Sequence, residues 1–261
     1  MLAKRDIIDW GARFFGAAAR SRLRCGHLLV EVSGGENEIC LASKRLSDEE
    51  ADTEIDRDEP VSWTSWAVCT GAKGVKVLPG LPDLPVLARQ EPPFQLQPGE
   101  ETRVYLRIPV SVQVCLGERD DEILAEFPSE TMPRVWFGEA PSSEECYQLR
   151  APASRGIFTD LEASEVQAPV LIRNESREVL DVTQICLRVA RLSVYRLGTA
   201  LWTNETIARY QGGMNPSRLS VKSGAPVEAA YAKLLAGPRV SGPETIVGRT
   251  FRSFRRWADW R

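Results

Sequence analysis

The sequence predicts a mainly β protein of antiparallel β-sandwich architecture, with two sandwich lobes and few short helices. Three observations predict it. Thr102–Leu116 alternates with period two: Val104, Leu106, Ile108, Val110, Val112, Val114 and Leu116 share one parity, as a strand with one buried face requires. Val179–Leu197 is a second β-branched run, in which Ile185, Leu187 and Val189 share one parity and Leu192 and Val194 the other. Shorter apolar stretches recur between turn residues, a spacing that suits a sandwich better than a βαβ unit.

The elements follow in chain order. Arg5–Ala19 is a helix candidate, weakened by Gly11 and Gly16, each costing about 1 kcal/mol against alanine. Lys4 and Arg5 before Phe14–Ala19 faintly resemble a signal peptide, but Asp6, Asp9 and Arg13 interrupt its core, so no leader is expected. His27–Val32 and Glu38–Ser43 read as strands joined by a hairpin at Gly34-Gly35. Val61–Cys69 and Val75–Leu78 follow. Pro79, Pro82 and Pro85 then recur every third residue, which favours extended backbone lying as a strap along a sheet edge; a groove ligand is the alternative.

Gln97-Pro98-Gly99-Glu100 is a turn before the long run. Pro109 lacks an N–H, so the run is expected to bend or change partner there. Ile123–Phe127, Arg134–Phe137, Cys146–Arg150, Pro169–Arg173, Leu201–Arg209 and Leu219–Lys222 are further strands. The phase change near Val189–Arg191 predicts a bulge. Ala225–Leu235 is ambiguous, and Phe251–Arg261 is the best short helix. A boundary near 128–133 gives a lobe over 1–128 with an acidic loop and a second over 129–261 with a basic, aromatic C-terminal helix.

The chain has 261 residues, enough for one large domain or two ordinary ones. Its 33 basic and 36 acidic side chains leave a net charge of −3, so nucleic acid is not expected as a partner. The longest uncharged run, Pro60–Ala72, is 13 residues, too short for a membrane-spanning helix. Cys25, Cys40, Cys69, Cys115, Cys146 and Cys186 never come closer than 15 residues, so no CxxC zinc or redox motif exists. Reduced, buried thiols in a cytoplasmic protein are expected.

Candidate chemistry is sparse, and each candidate has a plainer reading. The acidic run Asp48–Glu59 lacks the glycine and ordered spacing of a calcium loop and reads as a solvated loop. Glu118, Asp120, Asp121 and Glu122 offer carboxylates for glycoside hydrolysis, or a charged hairpin loop. Trp63, Trp66, Trp136 and Trp202 offer a sugar platform, or core. Cys25 and His27, two apart on one expected strand, lack an orienting third group. The C-terminal stripe Phe251, Arg252, Phe254, Arg255, Arg256 and Trp257 has the aromatics and arginines of an interfacial helix; docking on the sandwich is the alternative. No catalytic residue, metal or cofactor is expected.

The order Leu78–Leu87, Val104–Val110, Ile123–Phe127, Val135–Gly138, Tyr147–Arg150 and Val170–Ser176 resembles the uncharacterised, mostly archaeal domain-of-unknown-function family numbered 432. Trp136, Phe137 and Gly138 stand where that family has a Leu-Tyr-Gly-like motif, and Leu149-Arg150 where it has an Arg-Tyr-like segment. Ala151-Pro152 follows Arg150 in place of the aromatic. The resemblance covers most of the chain and implies no established activity. Association of some members with mechanosensitive-channel genes implies a membrane-related accessory role. The expected function is therefore a non-enzymatic interaction or accessory protein with a protein partner, cytoplasmic or peripheral to an anionic membrane. A carboxylate-dependent glycan hydrolase and a carbohydrate-binding module are the alternatives.

Overall fold

The computed structural model describes residues 8–11, 13–14, 21–34, 37–47, 63–67, 74–116, 123–138, 143–213, 217–241, 245–248 and 250–251. In chain order the strands are β1 (Arg13–Phe14), β2 (Ser21–Cys25), β3 (Leu28–Gly34), β4 (Glu38–Arg45), β5 (Thr64–Ala67), β6 (Val75–Gly80) and β7 (Val86–Leu96). Then come β8 (Glu101–Pro109), β9 (Ser111–Leu116), β10 (Ile123–Pro128), β11 (Arg134–Phe137), β12 (Glu144–Gln148), β13 (Glu165–Asn174) and β14 (Leu180–Leu187). The last are β15 (Val194–Leu197), β16 (Ala200–Thr203), β17 (Thr206–Tyr210), β18 (Ser217–Val221), β19 (Lys233–Ala236) and β20 (Thr245–Gly248). Among the described residues the only helical elements are 3-10 turns at Val189–Arg191 and Val227–Ala229. The protein is mainly β, as the periodicity requires.

The chain forms two compact units: residues 1–81, 109–131 and 162–165 make one, and 82–108, 132–161 and 166–261 the other. The division is therefore not a single cut. Each unit holds two sheets. The first has β1-β6-β9-β10 and β2-β3-β4-β5; the second has β11-β12-β7-β14 and a curled sheet ordered β19-β15-β16-β13-β17-β18-β20, with β8 also on β13. Most pairs are antiparallel, but β12–β7, β13–β16 and β13–β17 are parallel.

In the first unit the β2–β3 hairpin turns through Gly26-His27, with Cys25 paired to Leu28. Gly26 has φ +60°, and a Cβ there would meet Ser164 Oγ at 2.8 Å, so only glycine fits. Cys25, Val30, Leu41, Val77, Val112 and Val114 are buried across both sheets. The Arg45 guanidinium on β4 donates to the carbonyls of Ser129 and Pro128 at the end of β10, at 3.0 and 2.9 Å.

The long alternating run changes partner at Pro109: β8 lies on β13, while β9 lies between β6 and β10. In β8 the alternation is partial, since Val104, Leu106 and Ile108 are buried and Arg103 and Arg107 are not, but Tyr105 between them is buried too. In β9 it fails, because Ser111, Gln113 and Cys115 are buried as well. Residues on both faces of β9 are therefore covered by packing, where an antiparallel strand at the surface would keep one face wet.

Several local expectations are corrected. The N-terminal helix expected over Arg5–Ala19 is not seen among the described residues of that segment, which include β1. The strap is not simply an edge: β7 pairs with β14 along its length, and Val86 and Leu87 also pair with β12. Pro92 and Pro93 are exposed within it. The expected bulge at Val189–Arg191 is a 3-10 turn separating β14 from β15. Ala225–Leu235 is a 3-10 turn followed by the start of β19. Leu201–Arg209 is broken into β16 and β17, which follow one another along β13: Val166 pairs with Leu201 and Val170 with Thr206. Asn204-Glu205 is the interruption.

Candidate functional site

That interruption organises the most polar interior cluster described. Asn204 fixes the loop: its Oδ1 accepts from the Ser193 N–H and its amide donates to the Lys222 carbonyl, both at 3.0 Å. The Lys222 N–H in turn donates to the Glu205 carbonyl at 2.9 Å. Glu205 is thereby turned inward, only 2% exposed.

Two cations meet it. Arg103 on β8 lies 2.7 Å from Glu205 Oε1, and Lys222 Nζ lies 2.5 Å from Oε2. Arg103 also reaches Glu228 Oε1 at 3.3 Å. The Tyr105 hydroxyl, two residues along β8 and so on the same face, donates to that same oxygen at 2.8 Å. Two carboxylates and two cations balance, which is what makes their burial tolerable.

The electrostatics follow from this geometry. Burial opposes ionisation of Glu205, but the hydrogen bonds from Lys222 and Arg103 outweigh it and hold the carboxyl below its ordinary value. Burial likewise opposes the Arg103 charge, and Glu205 and Glu228 reverse that and raise it. Tyr105 is pushed up to about 12, by burial first and then by its bond to Glu228. Glu205 and Arg103 are thus held charged, and the Tyr105 phenol neutral, at neutral pH. Neither Glu205 nor Tyr105 is a poised acid or base there.

What the network does is hold a turn. Glu228 belongs to the 3-10 turn Val227–Ala229, and Ala229 packs into an aromatic cluster of Tyr105, Tyr195 and Trp202. With the turn anchored from beneath, its outer residues stand in solvent: Val227 is 67% exposed and Tyr231 91%. Leu234, on β19 opposite Tyr195, is 62% exposed. β19 ends its sheet, and among the described residues no strand pairs with its outer side.

Of the residues singled out from sequence, Trp202 belongs to this aromatic cluster; the other described ones lie elsewhere. Trp136 is 69% exposed on the edge strand β11, Phe137 is buried with Leu87, Cys146 and Cys186, Gly138 has φ +105°, and Arg150 is exposed. Trp202 is core, Trp66 is half-buried on β5, and Trp63 is exposed beside it. Cys25 and His27 do not share a strand face: Cys25 is buried at the end of β2 and His27 is exposed in the turn. Burial and the Glu162 carboxylate push the Cys25 thiol up to about 12, far from a nucleophile's range.

Phe251 forms a β-bridge with Ile185 and meets Tyr210 edge-on, ring centroids 6.3 Å apart. Arg252, Phe254, Arg255, Arg256 and Trp257 lie outside the described residues, as do Asp48–Glu59 and the carboxylates Glu118, Asp120, Asp121 and Glu122. Among the described residues no three His, Cys, Asp or Glu side chains are arranged to hold a metal, and no helix is long and apolar enough to cross a membrane.

Sequence reasoning missed Glu205 and Glu228. A signal existed for the first: Asn204-Glu205, two poor strand formers side by side, interrupts the strand-like run from Leu201 to Tyr210. None existed for Glu228, whose partners lie more than 100 residues away on β8.

No curated protein and no solved structure matches the chain. The model of a family described as a protein of unknown function, DUF432, matches residues 10–255, nearly the whole chain, and the protein belongs to that family.

Proposed function

We propose that this protein is a non-enzymatic β-sandwich interaction protein that takes an extended segment of a partner protein onto the β19 edge. The observation that carries the reading is the placement of Val227, Tyr231 and Leu234, all strongly exposed, within eight residues of one another beside a strand edge with which no other described strand pairs. Exposed apolar groups of this size gathered at one place mark interaction surfaces. An open edge supplies main-chain donors and acceptors, and alternate side chains of the added strand supply specificity. Lys233 is exposed on the same strand, so the partner segment carries apolar residues and an acidic side chain beside it. Such a lysine also discourages edge-to-edge pairing of identical copies. The buried network supports the reading from below, because it fixes the turn without offering a reactive group.

The test compares the unaltered protein with Tyr231→Asp and Leu234→Asp, both at exposed positions that should leave the melting temperature unchanged. A partner protein retained by the unaltered chain and lost from both variants supports the reading. Equal retention by all three, or a self-associated state broken by the substitutions, overturns it.

A further inference from the structure

The paired strands β11 and β12 have two unlike faces. Val135, Phe137 and Cys146 turn inward and pack with Leu87 and Cys186. Arg134 and Trp136 alternate with them and point the other way. Their partners across the pair are Tyr147 and Glu145, so the four side chains share one face. Contacts join them into a strip. The Tyr147 hydroxyl donates to Asp83 Oδ1 at 3.2 Å, the Arg134 guanidinium lies 5.9 Å over the Tyr147 ring, and Arg134 Nη1 reaches Glu145 Oε1 at 3.5 Å. Trp136 ends the strip opposite Glu145, 69% exposed, and no described residue accepts from its indole N–H. β11 is the last strand of its sheet among the described residues.

The chemistry of the strip decides what it fits. An exposed indole is an apolar plate with one polar edge. Around it stand a guanidinium, two carboxylates and a phenol rather than further apolar side chains. A protein interface centres on a wider apolar core depleted of charge, as Val227, Tyr231 and Leu234 offer and this strip does not. One cation against two carboxylates gives it no pull on anions. A neutral sugar meets both demands. Its C–H face stacks on the electron-rich indole face, and its hydroxyls donate to Glu145 and Asp83 and accept from Arg134. The single 3.5 Å contact between Arg134 and Glu145 leaves both solvent-reaching groups with spare hydrogen-bonding capacity. With Arg134 laid over Tyr147, part of the ordering that binding would demand is already done.

We propose that Trp136, Arg134, Glu145 and Asp83 form a binding site for a neutral polysaccharide, with Trp136 as the stacking plate. The site is independent of the β19 edge, and binding changes no covalent bond.

The experiment is native electrophoresis of the full chain through gels holding a soluble β-glucan, mannan, xylan or galactan, with polygalacturonate as the anionic contrast. A neutral polymer is expected to retard the unaltered protein and Ile123→Ala, an exposed position outside the strip. Trp136→Ala should weaken the retardation by about tenfold or more and Trp136→Phe by less. Glu145→Gln and Asp83→Asn should weaken it severalfold at unchanged melting temperature. Should Trp136→Ala fold poorly, oxidative footprinting of the unaltered protein decides: the polymer is expected to shield the peptide holding Trp136. No retardation by any neutral polymer overturns the proposal. So do retardation unchanged in Trp136→Ala, retardation by polygalacturonate alone, an unshielded Trp136, or a protein partner lost from Trp136→Ala in place of polymer binding.

Discussion

The Tyr105 hydroxyl donates to the Glu228 carboxylate at 2.8 Å, tying the middle of β8 to a turn more than a hundred residues later in the chain. Tyr105→Phe removes the donor and leaves a buried carboxylate oxygen one partner short, which should cost about 1–2 kcal/mol. The phenol's folded value of about 12 lies above its unfolded value of about 10. Its contribution is therefore full below about pH 10 and lost as pH rises toward about 12. Denaturant midpoints across that range should fall more steeply for the unaltered protein than for Tyr105→Phe. Parallel curves would break the assignment.

Glu205 titrates with the opposite sign. Its folded value is depressed, so its contribution is present above the unfolded carboxylate value of about 4.3 and lost as pH falls through the folded one. Glu205→Gln should flatten the acid limb of the stability profile below about pH 4. Glu205→Ala should cost about 2–4 kcal/mol at neutral pH, discounted from a fully buried pair because Arg103 and Lys222 keep some solvent.

Val112 on β9 is fully buried. Val112→Asp places an unpaired charge in the first unit and should cost about 4 kcal/mol or more, near the limit for a single substitution. Ile123→Asp, at an exposed position on the neighbouring strand, should stay within about 0.5 kcal/mol. Thermal melting of the pair checks the register, and equal effects would refute it.

Thr250 is buried, its carbonyl accepts from the Cys186 N–H, and Phe251 meets Tyr210. Phe251→Ala should lower stability by about 1–2 kcal/mol through the lost ring contact and buried area. Full-length protein and protein ending at Phe251 should both ignore anionic vesicles in co-sedimentation. Salt-sensitive binding by the full-length chain alone would instead assign Arg252, Arg255 and Arg256 to a membrane surface.

The sequence by itself determined the class of this protein. Alternation at Val104–Ile108 and the Pro98-Gly99 turn, where Gly99 adopts φ +81°, are local devices that work on any chain. So is the partner change at Pro109, since a residue without an N–H cannot sustain a ladder. Only the tertiary structure decided that β9 is buried on both faces, that β16 and β17 share β13, and that Glu205 and Glu228 meet on Arg103. Those facts depend on which distant segments lie side by side. A parallel pairing such as β13 with β17 joins residues more than thirty positions apart, and period-two patterning marks a strand's faces while leaving its neighbours unspecified. The exposed edge at β19 is legible for the same reason only in three dimensions: an edge is the absence of a neighbour, and no run of residues encodes that alone.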